Sequence, residues 1–218
     1  ITEPNPAWRA FKQKLTGRQW DYDFRRLFYT WSPDITTGRF EPWIEVAGRE
    51  KTCGWITPGD LWVAPDGNVH LLWSERAIDE RLREEFFPDA RQSHALNYAV
   101  VREGQIIQRR TLLVAEEGRS NERPGRGRFH VTSDGRLFAF FYVSGSDAQG
   151  RAIAENRLVE ILPDGAVGPS AKVPFDRPFT DFMTATGRAG STPSDVLDIL
   201  GTRQGSGATL SFARIKLH

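Results

Sequence analysis

The sequence predicts an all-β fold, a β-propeller of four-stranded antiparallel blades, and three observations lead there. A near-repeat aligns without a gap, Asp60–Trp73 (DLWVAPDGNVHLLW) with Arg128–Phe141 (RFHVTSDGRLFAFF). Each copy places Asp-Gly between two apolar runs, the strongest short hairpin signal, and one that suits a type I′ turn with positive φ at both central residues. After each copy comes a second hairpin of the same size, so four short strands recur as a unit, the order of a propeller blade.

The second hairpins run Ala95–Val101, a turn at Glu103-Gly104 and Ile106–Val114, then Arg157–Leu162, Pro163-Asp164-Gly165 and Val167–Pro174. Full blades are thus expected over 55–115 and 125–175. A partial copy over 20–50 supplies one outer hairpin, Arg26–Trp31 with Phe40–Ala47. Another over 178–217 supplies three strands, Phe179–Thr186, Val196–Thr202 and Thr209–Leu217. The inventory is about 3.5 to 4 blades within a single domain, 1–218, whereas a closed ring needs about four at least. Two ways to close it follow. Residues 7–15 (AWRAFKQKL) would add an outer strand, or the chain would be the C-terminal part of a larger, seven-bladed propeller, completed by a preceding segment or a second chain.

One segment breaks the strand rhythm. Ala77–Phe87 (AIDERLREEFF) spaces Ile78, Leu82 and Phe86 four apart, offers Asp79–Arg83 and Arg81–Glu85 pairs, and stops at Pro88, which predicts a short inserted surface helix near 77–87.

Composition bounds the partners. The 218 residues carry a net charge of +1, which gives no bulk attraction to nucleic acid. Apolar runs reach about eight residues, well short of the roughly twenty that span a bilayer, so no membrane segment is expected. Cys53 is the sole cysteine, and His70, His94, His130 and His218 form no ligand-spaced cluster, so neither a metal nor another cofactor is expected. If the start at Ile1 reflects a removed signal peptide, the location is extracellular or periplasmic; removal of a tag or a larger segment leaves it open.

Propeller topology selects the candidate site. Loops from second to third strand and from one blade to the next open on the same face. These stretches are 54–60, 74–94, 121–130, 144–157 and 176–181. They collect Trp55, Asp60, Glu75, Arg76, Arg91, His94, Arg126, Arg128, His130, Glu155, Asn156, Arg157, Arg177 and Asp181. Arginine grips carboxylates with a planar fork of donors, so this set suits an anionic ligand such as a uronic or sialic acid. The same arginines can instead pair with Asp60, Glu75, Glu155 and Asp181 between blades. His94 opens a strand on which Leu96 and Tyr98 share its face; it is placed either as a general base or to bond a loop carbonyl. His130 points to the channel or to an interblade layer. His70 reads as a core residue. Among the tryptophans Trp55 is the ligand candidate, Trp31, Trp62 and Trp73 lying within strands. Asp60, Glu75, Glu155 and Asp181 would supply the two carboxylates of a glycosidase.

The run GDLWVAPDGNVHLLW followed by SHALNYAVVREG resembles the sialidase-like propellers with BNR-type repeats. It is similar more narrowly to carbohydrate-active members such as polysaccharide lyases acting on rhamnose-glucuronate glycans, over about residues 55–175. The sialidase Asp-box, Ser-x-Asp-x-Gly-x-Thr-Trp, is not present; the outer turns read REGQ and PDGA. What the resemblance implies is a His/Tyr/Arg site acting on an acidic oligo- or polysaccharide by β-elimination. His94, Tyr98 and His130 would be its catalytic positions. Arg91, Arg128, Trp55, Glu75, Arg76, Glu155, Arg157 and Asp181 would hold the substrate. A glycoside hydrolase using Glu or Asp of the same loops, and a binding or scaffold propeller without chemistry, stay open beside it.

Overall fold

Tight turns divide the chain into thirteen strands among the described residues, of which 51% are strand. The structure, a computed structural model, describes residues 3–18, 23–119, 121–185 and 191–217. The strands form four antiparallel sheets in chain order. The first pairs β1 (Arg26–Tyr29) with β2 (Ile44–Gly48). The second runs β3 (Trp55–Val63), β4 (Val69–Arg76), β5 (Ser93–Arg102), β6 (Gln105–Glu116). The third runs β7 (Asn121–Val131), β8 (Leu137–Ser146), β9 (Ala152–Ile161), β10 (Ala171–Val173). The fourth holds β11 (Phe179–Thr184), β12 (Val196–Arg203) and β13 (Leu210–Lys216). Sheets of two, four, four and three strands are the expected inventory.

The Asp-Gly turns depart from the expected type I′, and proline accounts for two of the three, Ser133 standing at the corresponding position of the turn at Gly135. At Asp66-Gly67 positive φ falls on the glycine alone (84°), and the turn spans Ala64–Gly67, closed by Gly67 N–H donating to Ala64 O at 2.9 Å. Pro65 locks a negative φ one position earlier, which favours a type I turn followed by a left-handed glycine over type I′. The turns at Gly135 and Gly165 close in the same manner. A two-residue turn with positive φ at both positions does occur, at Glu103 (49°) and Gly104 (76°) between the paired Arg102 and Gln105.

Two helices lie among the described residues. Residues 7–15 are not a closing strand: α1 spans Pro6–Thr16. Asn5 Oδ1 accepts from Ala7 and Trp8 N–H, proline sits in the first turn, and Gly17 ends the helix in the left-handed conformation. The inserted helix is shorter than expected, α2 (Glu80–Phe86), because Asp79 is its N-cap and accepts from Arg81 N–H. Capping takes Asp79 out of the expected pair with Arg83; Arg83 pairs instead with Glu80 and Glu117. The helices pack through Trp8 on Phe87 and Phe11 on Phe86, both edge to face.

A buried ionic cluster ties α1 to the start of α2. Lys12 Nζ lies 2.9 Å from Asp79 and 3.4 Å from Glu3, Arg25 bonds Glu3, and Arg81 bonds Asp79. Burial opposes ionisation of Asp79, but Arg81 and Lys12 outweigh it and hold the carboxyl at about 2, below its ordinary 3.8. A carboxyl lowered in the folded state contributes stability that is present above its ordinary value and is lost as pH falls through the lowered one. Tryptophan fluorescence is therefore expected to report acid unfolding as pH falls from 3.8 toward about 2. Lys12→Met should move the transition to higher pH; an unchanged midpoint would mean that the cluster contributes nothing.

Three apolar cores join the sheets in series. Val46, Ile56, Leu71, Trp73, Ala99 and Val101 lie between the first and second. Leu72, Leu96, Tyr98, Phe129, Ala139, Phe141 and Val159 lie between the second and third. Phe140, Val173, Phe179, Phe182, Leu197 and Ile199 lie between the third and fourth. Covering both faces of the inner sheets explains the unbroken apolar runs of β4 and β8, since alternation is needed only where one face meets water. Leu71 and Trp73 point to one core and Leu72 to the next; Phe141 and Phe140 do the same. Among the described residues no core joins the first sheet to the fourth. No helix of the described chain is long and apolar enough to cross a membrane.

Candidate functional site

The opening strands of the second, third and fourth sheets are each interrupted at a comparable place. Register slips between Pro58 and Asp60 in β3, between Pro124 and Gly127 in β7, and between Phe179 and Asp181 in β11. Such bulges bend a strand and re-aim its side chains. Glycine lets the strands approach there: a Cβ on Gly59 would sit 2.9 Å from Leu72 O and 3.1 Å from Gly127 O. Above the bulges lies a cleft of about 420 Å³, lined by Trp55, Ser74, Glu75, Arg76, His94, Pro124, Gly125, Arg126, Thr180 and Asp181.

Register explains why three of these residues meet. Trp55 pairs with Arg76, and Arg76 with His94, so one cross-strand row on β3, β4 and β5 brings an aromatic, a cation and an imidazole to one end of the sheet. Ser74 Oγ donates to Gly125 O at 2.9 Å and ties the row to the β7 bulge. The Nε of Arg76 is a buried donor without a hydrogen-bond partner, and its Nη2 lies 3.9 Å from Asp23. Burial, reinforced by the positive Arg123 and Arg76, pushes His94 below its ordinary 6.5. His94 is therefore neutral at pH 7 and able to accept a proton. Arg126 and Asp181 pair at 3.3 Å on the exposed rim. The Glu75 carboxylate is engaged by Arg49 and by Trp73 Nε1, at 3.2 Å from the latter.

The structure thus brings together Trp55, Glu75, Arg76, His94, Arg126 and Asp181 and leaves the other candidates elsewhere. Tyr98 is buried in the core and its hydroxyl meets His70 Nδ1 at 2.7 Å, at a second cavity of about 480 Å³ walled by Trp62 and Leu137. Four residues of strand separate it from His94, about 13 Å at the usual rise, too far to share one reacting bond. His130 is buried with Nε2 2.6 Å from Ser194 O, a structural contact. Arg128 donates to Gly59 O, while Asp60 Oδ2 accepts from Phe129 N–H at 3.0 Å, so the two form a reciprocal tie between β3 and β7. Arg157 bonds Glu155 at 2.7 Å and Glu122 at 2.6 Å, and Lys172 meets Glu155 at 3.0 Å, a salt-bridge cluster on the third sheet outside the cleft. Arg91 is exposed on the connection into β5 and does not line it either. His218 lies outside the described residues.

Ser74, Pro124, Gly125 and Thr180 also line the cleft and were not singled out from the sequence, although each falls within the loop stretches that topology selected. Proline-glycine inside a strand, at Pro58-Gly59 and Pro124-Gly125, is the signal that marks these bulges. Among the described residues no group of three His, Cys, Asp or Glu side chains is placed to hold a metal. In comparisons with family models, curated proteins and solved structures the chain matches none, so the functional reading rests on the cleft itself.

Proposed function

We propose that this cleft binds an acidic, uronate-containing glycan and cleaves it by β-elimination, with His94 as proton acceptor. In this reading the four sheets are successive propeller blades, β3, β7 and β11 run nearest the axis, and the likeness to sialidase-like, carbohydrate-active propellers is one of common descent. The observation that carries the proposal is the Arg76–His94 pair: an unsatisfied buried guanidinium donor beside a neutral imidazole. Arg76 neutralises the uronate carboxylate, which makes the proton on the adjacent carbon acidic. His94 takes that proton, the carbon–hydrogen pair becomes the new double bond, and the glycosidic oxygen leaves with the bonding electrons. Among the described residues no tyrosine lines the cleft, so in this reading the leaving oxygen takes its proton from the His94 imidazolium or from water. Trp55 offers a ring to a sugar face. The hydrolase alternative is weaker, because Glu75 is held by Arg49 and Trp73 and so is a poor acid or nucleophile.

The test is incubation with a panel of acidic polysaccharides, followed by ultraviolet absorbance of unsaturated uronate and by a reducing-end assay. Absorbance is expected, with kcat/KM rising with pH on an acid limb that lies below 6.5. Reducing ends without absorbance would replace the lyase reading by hydrolysis. Binding without either product would leave a lectin-like disc.

A further inference from the structure

The second cavity, of about 480 Å³, opens at the far end of the junction between the second and third sheets, among the hairpin turns that carry Asp66, Asp134 and Pro163. Arg76 stands six residues after His70 on β4, about 20 Å at the usual rise, and the cavity shares no lining residue with the cleft. Its wall on the second sheet is a row of rings. Trp62 of β3 pairs with His70 of β4, ring centroids 4.8 Å apart, and Tyr98 of β5 follows at 5.8 Å from His70. The facing wall is aliphatic, Leu137 of β8 and Ile161 of β9, which are register partners. Gln108 of β6 donates to Asp164 O at 3.0 Å and ties the two sheets together beside the cavity. An aromatic row opposite an aliphatic one makes a slot that suits a flat molecule.

The polar groups fix what such a molecule has to present. Among the described residues Tyr98 Oη has one hydrogen-bond partner, His70 Nδ1 at 2.7 Å. Burial pushes the imidazole down to about 4 and the phenol upward, so both are uncharged at pH 7. The phenol's one proton goes to Nδ1, the acceptor at hand, which leaves the imidazole's own proton on Nε2. Asn68, two residues before His70, also lines the cavity: its Nδ2 donates to Asp66 at 2.7 Å, and its buried Oδ1 has no hydrogen-bond partner among the described residues. A buried polar atom of this kind calls for a donor. Three carboxylates, Asp66, Asp134 and Glu160, stand at the cavity against one guanidinium, Arg136, itself bonded to Asp134 at 3.0 Å. That excess repels an anion, and the Nε2–H donor repels a cation.

We propose that this cavity binds a small, uncharged, planar heterocycle with a cyclic-amide edge, its carbonyl accepting from His70 Nε2–H and its N–H donating to Asn68 Oδ1. The ring of the ligand lies in the slot, with Trp62 on one side and Leu137 and Ile161 on the other. This site is independent of the cleft and of whatever the cleft acts on.

Titration with 2-quinolone at pH 7.5, followed by proton–nitrogen correlation spectra of the labelled protein, tests it. Saturable shifts are expected at the amides of residues 64–70 and 134–137, with quinoline, which lacks the N–H, binding about tenfold more weakly, the loss of one hydrogen bond. Absence of saturation up to the solubility limit overturns the proposal, as do shifts confined to Trp55, Arg76 and His94. Tighter binding of N-methylquinolinium or of quinoline-2-carboxylate also overturns it, by assigning the cavity to a cation or an anion. The double variant His70→Phe/Tyr98→Phe removes the donor together with its partner, so it should keep its thermal midpoint within a few degrees and lose about tenfold in affinity; unchanged affinity would overturn the proposal. Should that variant fail to fold, the unchanged protein still decides. The ring nitrogens of His70 are expected to report the Nε2–H form, and the Nδ1–H form would leave the cavity without the donor that the ligand needs.

Discussion

His94→Gln is expected to lower kcat on an acidic glycan by about 10²–10⁴-fold, the range that a positioned general base supplies. The reason lies in the protonation state. Burial and the neighbouring Arg123 and Arg76 keep the imidazole neutral at pH 7, whereas glutamine can donate and accept hydrogen bonds but cannot carry a proton away. KM should hardly move, because the carboxylate grip belongs to Arg76. Arg76→Lys should show the opposite split, raising KM more than it lowers kcat, since an ammonium provides charge without the planar fork. The fold should tolerate both changes, as these side chains line an open cleft. An unchanged kcat in His94→Gln would remove the histidine from the chemistry, and a loss of thermal stability alongside activity would assign it a structural role.

Phe140→Ala should cost about 3–5 kcal/mol of unfolding free energy, the largest stability effect expected of any single substitution here. Phe140 is fully buried between the third and fourth sheets and meets Phe182 edge to face, ring centroids 4.8 Å apart at 69°. Truncation leaves a cavity that neither sheet can fill by moving, because β8 is also packed on its other face through Ala139 and Phe141. The aromatic pair adds about 0.5–1.5 kcal/mol beyond area burial, and it is lost as well. Urea titration should show a lower midpoint at unchanged slope, the sign of altered stability without altered compactness. A cost below about 1 kcal/mol would mean that the fourth sheet is not firmly seated on the third.

Strand number and sheet grouping were legible because both rest on local chemistry: glycines that punctuate hairpins, and apolar runs too continuous for a half-exposed sheet. The same local chemistry was available at residues 5–17, where Asn5, Pro6 and Gly17 spell a capped helix. Reading that segment as a closing strand put the needs of a ring ahead of its own caps. Within the site, Trp55, Arg76 and His94 could be grouped because strand ends on one face of the fold gather in one place. Tyr98 shares the side of the strand with His94, yet alternation fixes direction and not distance. Arg128 and Asp60 occupy the same position of two repeats, and their equivalence is structural: each reaches across to the other's strand. Arg126 owes its place to a bulge, which shifts register by an amount that a gap-free alignment does not contain.

The serial cores make the molecule, in energetic terms, a short one-dimensional array. Among the described residues each apolar core joins a sheet to the next one along the chain, so a sheet's stability is a local term plus one coupling per neighbour. Removing an end sheet forfeits one coupling, whereas disturbing either four-stranded sheet in the middle forfeits two. Nucleation is accordingly cheapest at the pair formed by β3–β6 and β7–β10, with order spreading outward in both directions.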